Sequence, residues 1–240
     1  MNAPGLVVER STWVPARTLP VGGWTLGLTG GLTRRANSAT PAVPGAPLSD
    51  AELHEIESRY AEAGQPSVFR ICAASPSGLV DRLTARGYTR AVVTEVWARA
   101  VGHLASDPGV LIDDAGAPDP DWLNGWLGVK GPGADLDLAG TLLTGSPARY
   151  LTARADDGTV LGVLRLALAG EWAGLSCLAV TPAARRRGIG RALTLAGLDV
   201  AHRHGADGVF LQVEVQNSGA LALYTALGFT PVDRYEYWER

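Results

Sequence analysis

The chain has 240 residues, 46% of them hydrophobic and 19% charged, with a formal net charge of −3. That composition suits a globular protein with room for a sizeable core, and the acidic balance excludes wholesale binding to nucleic acid. No apolar run reaches the ~18 residues of a membrane span, and the N-terminus lacks a basic-then-apolar leader pattern, so the expectation is a cytoplasmic protein with no membrane partner.

Taken in order, residues 1–20 show little periodicity, and Leu6 to Val8 suggests a short edge strand. Trp24 to Leu28 reads as a strand, Gly30-Gly31 as a turn and Thr33 to Ala39 as a second strand. Pro41 to Pro47 carries too many prolines for helix or ladder. Ser49 with Glu52 three residues on has the form of a capping box, opening a helix with Leu53, Ile56 and Tyr60 on its apolar face and Gly64 at its stop. A strand over Val68 to Ala73, a helix over Leu79 to Arg86 and a long strand or strand pair over Tyr88 to Ala100 follow. Turn formers place a domain boundary near 105, dividing the chain into 1–104 and 105–240.

In the second part, Trp122 to Leu127 reads as a helix and Gly131-Pro132-Gly133 as a loop. Arg149 to Arg154 and Val160 to Ala169 form a hairpin around Asp157-Gly158. Trp172 to Val180 is a buried strand, Gly190 to His204 a helix, Val209 to Val215 a strand, Ser218 to Leu227 a helix, and Arg234 to Trp238 a last strand. That closing run alternates polar and aromatic residues, which fits either the wall of an acceptor pocket or a half-buried edge strand. His202 and His204 suit the negative end of their helix and read as structural. Cys72 and Cys177 read as small buried hydrophobes, and no Cys/His cluster has metal-ligand spacing, so no metal is expected.

The most informative stretch lies between the buried strand and the helix after it. Thr181-Pro182 breaks the strand, three arginines follow (Arg185, Arg186, Arg187), and Gly188-Ile189-Gly190-Arg191 leads into the helix. Amides freed at a helix N-terminus, partial positive charge from the macrodipole, and glycines that leave the backbone open together make an anion site.

This arrangement resembles the coenzyme A loop of the GNAT (GCN5-related N-acetyltransferase) superfamily, whose motif Gln/Arg-x-x-Gly-x-Gly/Ala is met by Arg185-x-x-Gly188-x-Gly190. The resemblance implies an α/β (α+β) fold, a central twisted mixed sheet flanked by helices. It also implies acetyl-coenzyme A as co-substrate, with the backbone of Leu178, Ala179 and Val180 holding the pantetheine arm and the loop Arg186 to Arg191 the pyrophosphate. Asn217-x-x-Ala220-x-x-x-Tyr224-x-x-x-Gly228-Phe229 also resembles these enzymes. By that likeness Asn217 contacts the cofactor as well as capping its helix, and Tyr224 is the acid that protonates the departing thiolate. Ribosomal-protein N-terminal acetyltransferases carry glutamate where this chain has Gln212. Glu214, two residues on and on the same strand face, is therefore the first candidate base, and Glu171 the second.

A shift of 141 residues aligns the halves without a gap. Thr40-Pro41-Ala42 falls on Thr181-Pro182-Ala183, Gly64 on Gly205, Gly87-Tyr88-Thr89 on Gly228-Phe229-Thr230, and Trp97 on Trp238. Two tandem GNAT-like units are expected, and the first has lost its site. Arg185, Gly188 and Gly190 correspond to Pro44, Pro47 and Ser49, while Glu214, Asn217 and Tyr224 correspond to Ala73, Pro76 and Leu83. The expected function is acetyl transfer to the amine of a small molecule or a protein N-terminus. The alternative is an acyl-coenzyme A sensor without turnover.

Overall fold

The computed structural model describes residues 2–102, 109–130 and 135–240. The boundary expected between 104 and 105 and the loop at 131–133 lie outside the described residues. The chain opens with α1 (Gly5–Ser11), followed by β1 (Arg17–Val21) and β2 (Trp24–Leu28). A single 3₁₀ turn (Arg34–Ala36) leads to β3 (Ala39–Pro41), α2 (Asp50–Glu62), β4 (Val68–Ile71), α3 (Leu79–Ala85) and β5 (Thr89–Ala100). Next come β6 (Leu111–Ala115), α4 (Pro120–Lys130), α5 (Leu136–Thr144), β7 (Ala148–Arg154), β8 (Val160–Ala169) and β9 (Trp172–Val180). The chain closes through α6 (Ile189–Arg203), β10 (Gly208–Glu214), α7 (Ser218–Ala226) and β11 (Thr230–Glu239).

Most expected elements are present, and the capping box at Ser49 is complete in both directions. Two expectations are corrected. Leu6 to Val8 is helix rather than edge strand: Pro4 sits at the N-cap, and Glu9 is drawn inward to meet Arg70 at 2.6 Å. Tertiary pairing thus overrides the strand preference of Val7 and Val8. Thr33 to Ala39 is not one strand either. The Thr33 hydroxyl accepts from the Arg35 amide and starts the 3₁₀ turn, so the ladder begins only at Ala39. Pro41 nevertheless closes β3 opposite Trp24, at the end of the ladder where a missing amide costs nothing.

All the strands join one mixed sheet in the order β1-β2-β3-β4-β11-β5-β10-β9-β8-β7-β6. The closing strand is therefore no edge. β11 lies between β4 and β5, antiparallel to both, and β5 in turn pairs with β10. Among the described residues two neighbouring pairs are parallel: β3 with β4, through Ala39–Phe69, and β9 with β10.

Helices cover both faces. On one face of β7–β10, Leu193 and Leu198 of α6 and Leu227 after α7 pack with Leu164, Leu175 and Leu211. A Cβ at Gly197 would meet Leu164 and Leu175 at 2.8 and 2.9 Å, so glycine lets α6 lie close to the sheet. On the other face Trp122 and Trp126 of α4, Leu142 and Leu143 of α5, and Trp13 pack with Tyr150, Val163 and Ala179. α2 and α3 enclose a separate core with Trp24, Leu26 and Phe69. No helix among the described residues is long and apolar enough to cross a membrane.

Candidate active site

The site forms where a parallel ladder stops. β9 and β10 pair only from Trp172–Gly208 to Leu175–Leu211. Beyond that the strands part, and Ser176 to Val180 lack a strand partner on this edge. On its other edge β9 is bulged: the register to β8 slips from Val163–Ala179 to Arg165–Ser176, leaving Cys177 and Leu178 opposite Leu164. Cys177 takes a left-handed φ of 55° to make this possible. Such strain costs on the order of 1–3 kcal/mol and is concentrated at binding sites, where it re-aims the chain.

A cavity of about 450 Å³ fills the opening. Leu178, Glu214, Asn217 and Tyr224 all line it, so residues up to 46 positions apart are brought together. Asn217 caps α7, accepting from the Ala220 amide at 3.1 Å. Tyr224 is buried on α7, its ring edge-on to Phe229, and no hydrogen bond ties its hydroxyl to another described residue. Burial pushes that hydroxyl up to about 12, partly opposed by the nearby Arg35, so it is protonated throughout the neutral range. Glu214 is exposed at the end of β10.

Glu171 is not brought to this place. It precedes β9 at the far end, where its carbonyl accepts from the amides of Asp207 and Gly208. At ~3.3 Å per strand residue, roughly 20 Å of β9 separates it from Leu178.

The basic loop lies where β9 ends. Arg185, Arg186, Arg187 and Arg191 are exposed, and Arg185 Nε donates to the Val180 carbonyl at 3.4 Å. Gly188 is the N-cap of α6 with φ 82°, makes no side-chain cap, and has open space where a Cβ would stand. The first amides of α6 are thus left for an anion. A side chain at Gly190 would point between α6, α7 and β9, toward Leu223, Val180 and Leu178 at 3.6–4.0 Å. These features fit a coenzyme A phosphate at the helix end and an extended arm along β9.

The opposite wall comes mostly from residues that sequence reasoning did not select, apart from the closing run 234–238, for which a pocket wall was one of the two readings. Trp13, Trp126 and Arg35 line it, together with Tyr235 and Tyr237 of β11. Trp13 lies between two guanidinium groups, Arg35 at 5.4 Å and Arg165 at 5.3 Å from its ring. Arg165 is buried and fastens this wall, donating to the carbonyls of Thr12 and Leu143 and to Ser146 Oγ. Gln212 donates its side-chain amide to Glu9, whose charge is matched by Arg70. The carboxylate that the residue 212 side chain meets is thereby committed to an ion pair. The Ser176, Tyr235 and Tyr237 hydroxyls are buried without a hydrogen-bond partner among the described residues, each a cost of roughly 1–3 kcal/mol unless something in the cavity meets it.

Comparison with known proteins agrees with this architecture. The sequence family described as "Probable histone acetyltransferase Rv0428c C-terminal" matches residues 11–238. The protein named Uncharacterized N-acetyltransferase YobR of Bacillus subtilis (strain 168) is 24% identical over 233 residues, covering 95% of this chain and 94% of its own length. A mycothiol acetyltransferase of Clavibacter sepedonicus is 34% identical over 198 residues, 77% of this chain, and the match spans only 64% of that relative's length. Among solved structures, a GCN5-related N-acetyltransferase from Kribbella flavida superposes with a TM-score of 0.68 at 17% identity, over 99% of this chain and 96% of its own. A tandem GNAT protein from the clavulanic acid biosynthesis pathway also gives 0.68 at 17% identity, over 100% and 89%. With a splayed parallel pair, a bulged strand and an open helix N-terminus in place, and with the family match running almost end to end, the chain belongs to that acetyltransferase family within the GNAT superfamily and is an N-acetyltransferase.

Proposed function

We propose that the protein transfers an acetyl group from acetyl-coenzyme A to a primary amine by direct attack within the β9–β10 opening. The observation that carries this reading is the coincidence of three openings at one end of β9: its unpaired edge, the uncapped start of α6 and the cavity lined by Tyr224. Acetyl-coenzyme A supplies an acyl group activated as a thioester. The α6 amides and the arginines of the loop hold its phosphates, and the free edge of β9 from Leu178 to Val180 holds the extended arm. Asn217 fixes the start of α7, which sets the Tyr224 hydroxyl beside the acyl end of the cleft. Tyr224 keeps its proton at neutral pH and can give it to the departing sulfur. Glu214 at the mouth receives the proton of the incoming amine.

We also read the chain as two tandem units, 1–104 and 105–240, with a single cofactor site in the second. In support, the parallel pair β3–β4 stands to α2 as β9–β10 stands to α6. Pro44 and Pro47 occupy the first unit's equivalent of the basic loop, where they remove amide donors, and a buried leucine, Leu83, replaces Tyr224.

The test is calorimetric titration with acetyl-coenzyme A, wild type against Gly190→Glu. The substitution introduces no clash at Cβ, an acidic residue in the first helical turn suits the helix dipole, and far-ultraviolet dichroism checks that the variant is folded. Its carboxylate would enter the channel that the phosphates need, and affinity should fall by at least about tenfold. Unchanged affinity would falsify the placement. Tight binding without thiol release in the presence of any amine would indicate a sensor instead of a catalyst.

A further inference from the structure

Three arginines approach the cleft region from the first part of the chain, and their partners differ. Arg34 is paired with Glu239, at 3.0 and 3.1 Å. Arg70 is paired with Glu9. Arg35 has no carboxylate partner among the described residues. Its guanidinium makes one hydrogen bond, to the Gln212 carbonyl, and otherwise rests against the Trp13 ring. Arg165, on the other side of Trp13, also lacks a carboxylate, but three protein oxygens use its donors. Arg35 therefore presents an unneutralised charge and unused donors to the cavity.

Two further donors stand beside it. Tyr235 and Tyr237 are 2% and 3% exposed, line the same cavity as Arg35, and their hydroxyl oxygens meet no geometric hydrogen-bond partner among the described residues. Burial holds the Tyr237 hydroxyl well above its ordinary value, so it is a donor at neutral pH. A planar guanidinium and two phenolic O–H groups lining one cavity match a carboxylate, which accepts through both oxygens. The surrounding wall is apolar and aromatic, through Trp13, Trp126, Leu32 and Leu127.

We propose that the acceptor is an amine that also carries a carboxylate, an amino-acid-like molecule with an apolar side chain, and that Arg35, Tyr235 and Tyr237 bind its carboxylate. The assignment rests on the acetyl-transfer reading above and names the acceptor class for that site. Coenzyme A phosphates are the other anions in the system, but they belong at the α6 N-terminus. Arg35 lies on the opposite wall, beside β10 and β11.

The experiment compares L-amino acids with their primary amides as acceptors, following thiol release from acetyl-coenzyme A. The amides have the less basic amine and the larger neutral fraction, which biases against the expected result. Apolar amino acids should nevertheless exceed their amides in kcat/KM by about 10–100-fold, mostly through KM, as for loss of a charged hydrogen bond. Arg35→Gln should abolish the preference, Arg35→Lys should restore part of it, and acetyl-coenzyme A affinity should be unchanged in both. Tryptophan fluorescence, to which Trp13 and Trp126 in the cavity contribute among seven tryptophans, gives a second readout: coenzyme-A-saturated wild type should respond to the acids and not the amides, and Arg35→Gln to neither. Equal use of acids and amides, a preference that survives Arg35→Gln, or no acid-selective signal in either assay overturns the proposal. Failure to bind acetyl-coenzyme A at all would instead strike the transfer reading, and the calorimetry above detects that separately.

Discussion

Arg35 donates to the backbone oxygen of Gln212 at 3.1 Å, although 177 positions separate them in the chain. Arg35 stands on the turn before β3, and Gln212 is the first residue of β10 beyond its pairing with β9. One bond therefore ties the N-terminal part of the molecule to the lip of the cleft. The wall that holds Trp13 and Arg35 and the wall that holds Leu178, Asn217 and Tyr224 come from opposite ends of the sequence.

Tyr224→Phe tests the acid. Phenylalanine keeps the ring against Phe229 and removes only a hydroxyl that bonds to no other described residue, so stability and acetyl-coenzyme A affinity should hardly change. Turnover should fall by roughly 10²–10⁴-fold. Steady-state kinetics beside calorimetry separates the two effects, and an unaltered kcat would remove this tyrosine from the mechanism.

Glutamates 214 and 171 are distinguished by position. Glu214→Gln should lower kcat/KM by about 10²–10⁴-fold and alter the rising limb of its pH profile. Glu171→Gln, at the far end of β9, should leave both as they are. A reversed pattern in the two profiles would move the base.

The Glu9–Arg70 pair sets a stability prediction. Both side chains are nearly inaccessible, and Arg70 also lies over the Tyr235 ring at 3.7 Å. Glu9→Leu should cost about 3–5 kcal/mol by leaving Arg70 charged and unpaired. Adding Arg70→Met should recover most of that loss. Urea denaturation of the single and double variants reads it directly, and a harmless Glu9→Leu would contradict the buried pairing.

Alkaline stability follows from the tyrosines. Burial raises the hydroxyls of Tyr60, Tyr88, Tyr150, Tyr224 and Tyr237 above their ordinary value, Tyr88 and Tyr224 to about 12. The folded chain thus keeps protons that the unfolded chain releases near pH 10. Their contribution is full below pH 10 and is lost as pH rises through 12. Phenolate absorbance and far-ultraviolet dichroism should change together in an alkaline titration. Free titration of these five groups near pH 10 in a still-folded protein would contradict their burial.

The strand, loop and helix from Trp172 to Arg203 were legible because strong local signals agree: an apolar run, a proline break, then glycines before a 3.6-residue stripe. The spacing to Asn217 and Tyr224 carried enough information to find one wall of the cleft. The other wall was not legible. Arg35 sits in a turn that Thr33 starts through a side-chain bond, while the β-branched and apolar residues around it read as strand. α5, capped by Asp135, went unread behind the glycines before it. Nor does sequence order tell which strand inserts where. The run holding Tyr235 and Tyr237 fitted either a pocket wall or an edge; β11 runs through the middle of the sheet with one flank against β5 and the other against β4, and both tyrosines line the cavity.

That placement has a consequence for how the protein is made. β4 and β5 are never hydrogen-bonded to each other; β11 is the wedge between them, and it emerges from the ribosome some 130 positions after β5. Until β10 and β11 arrive, β5 lacks both of its neighbours and β4 lacks one, so the first-synthesised part exposes open flanks that are templates for pairing with another chain. The nascent protein therefore passes through a long interval in which its early half is collapsed but unsealed. A chaperone that shields that gap, or slow release of the last hundred residues, should govern its yield more strongly than the stability of the finished fold.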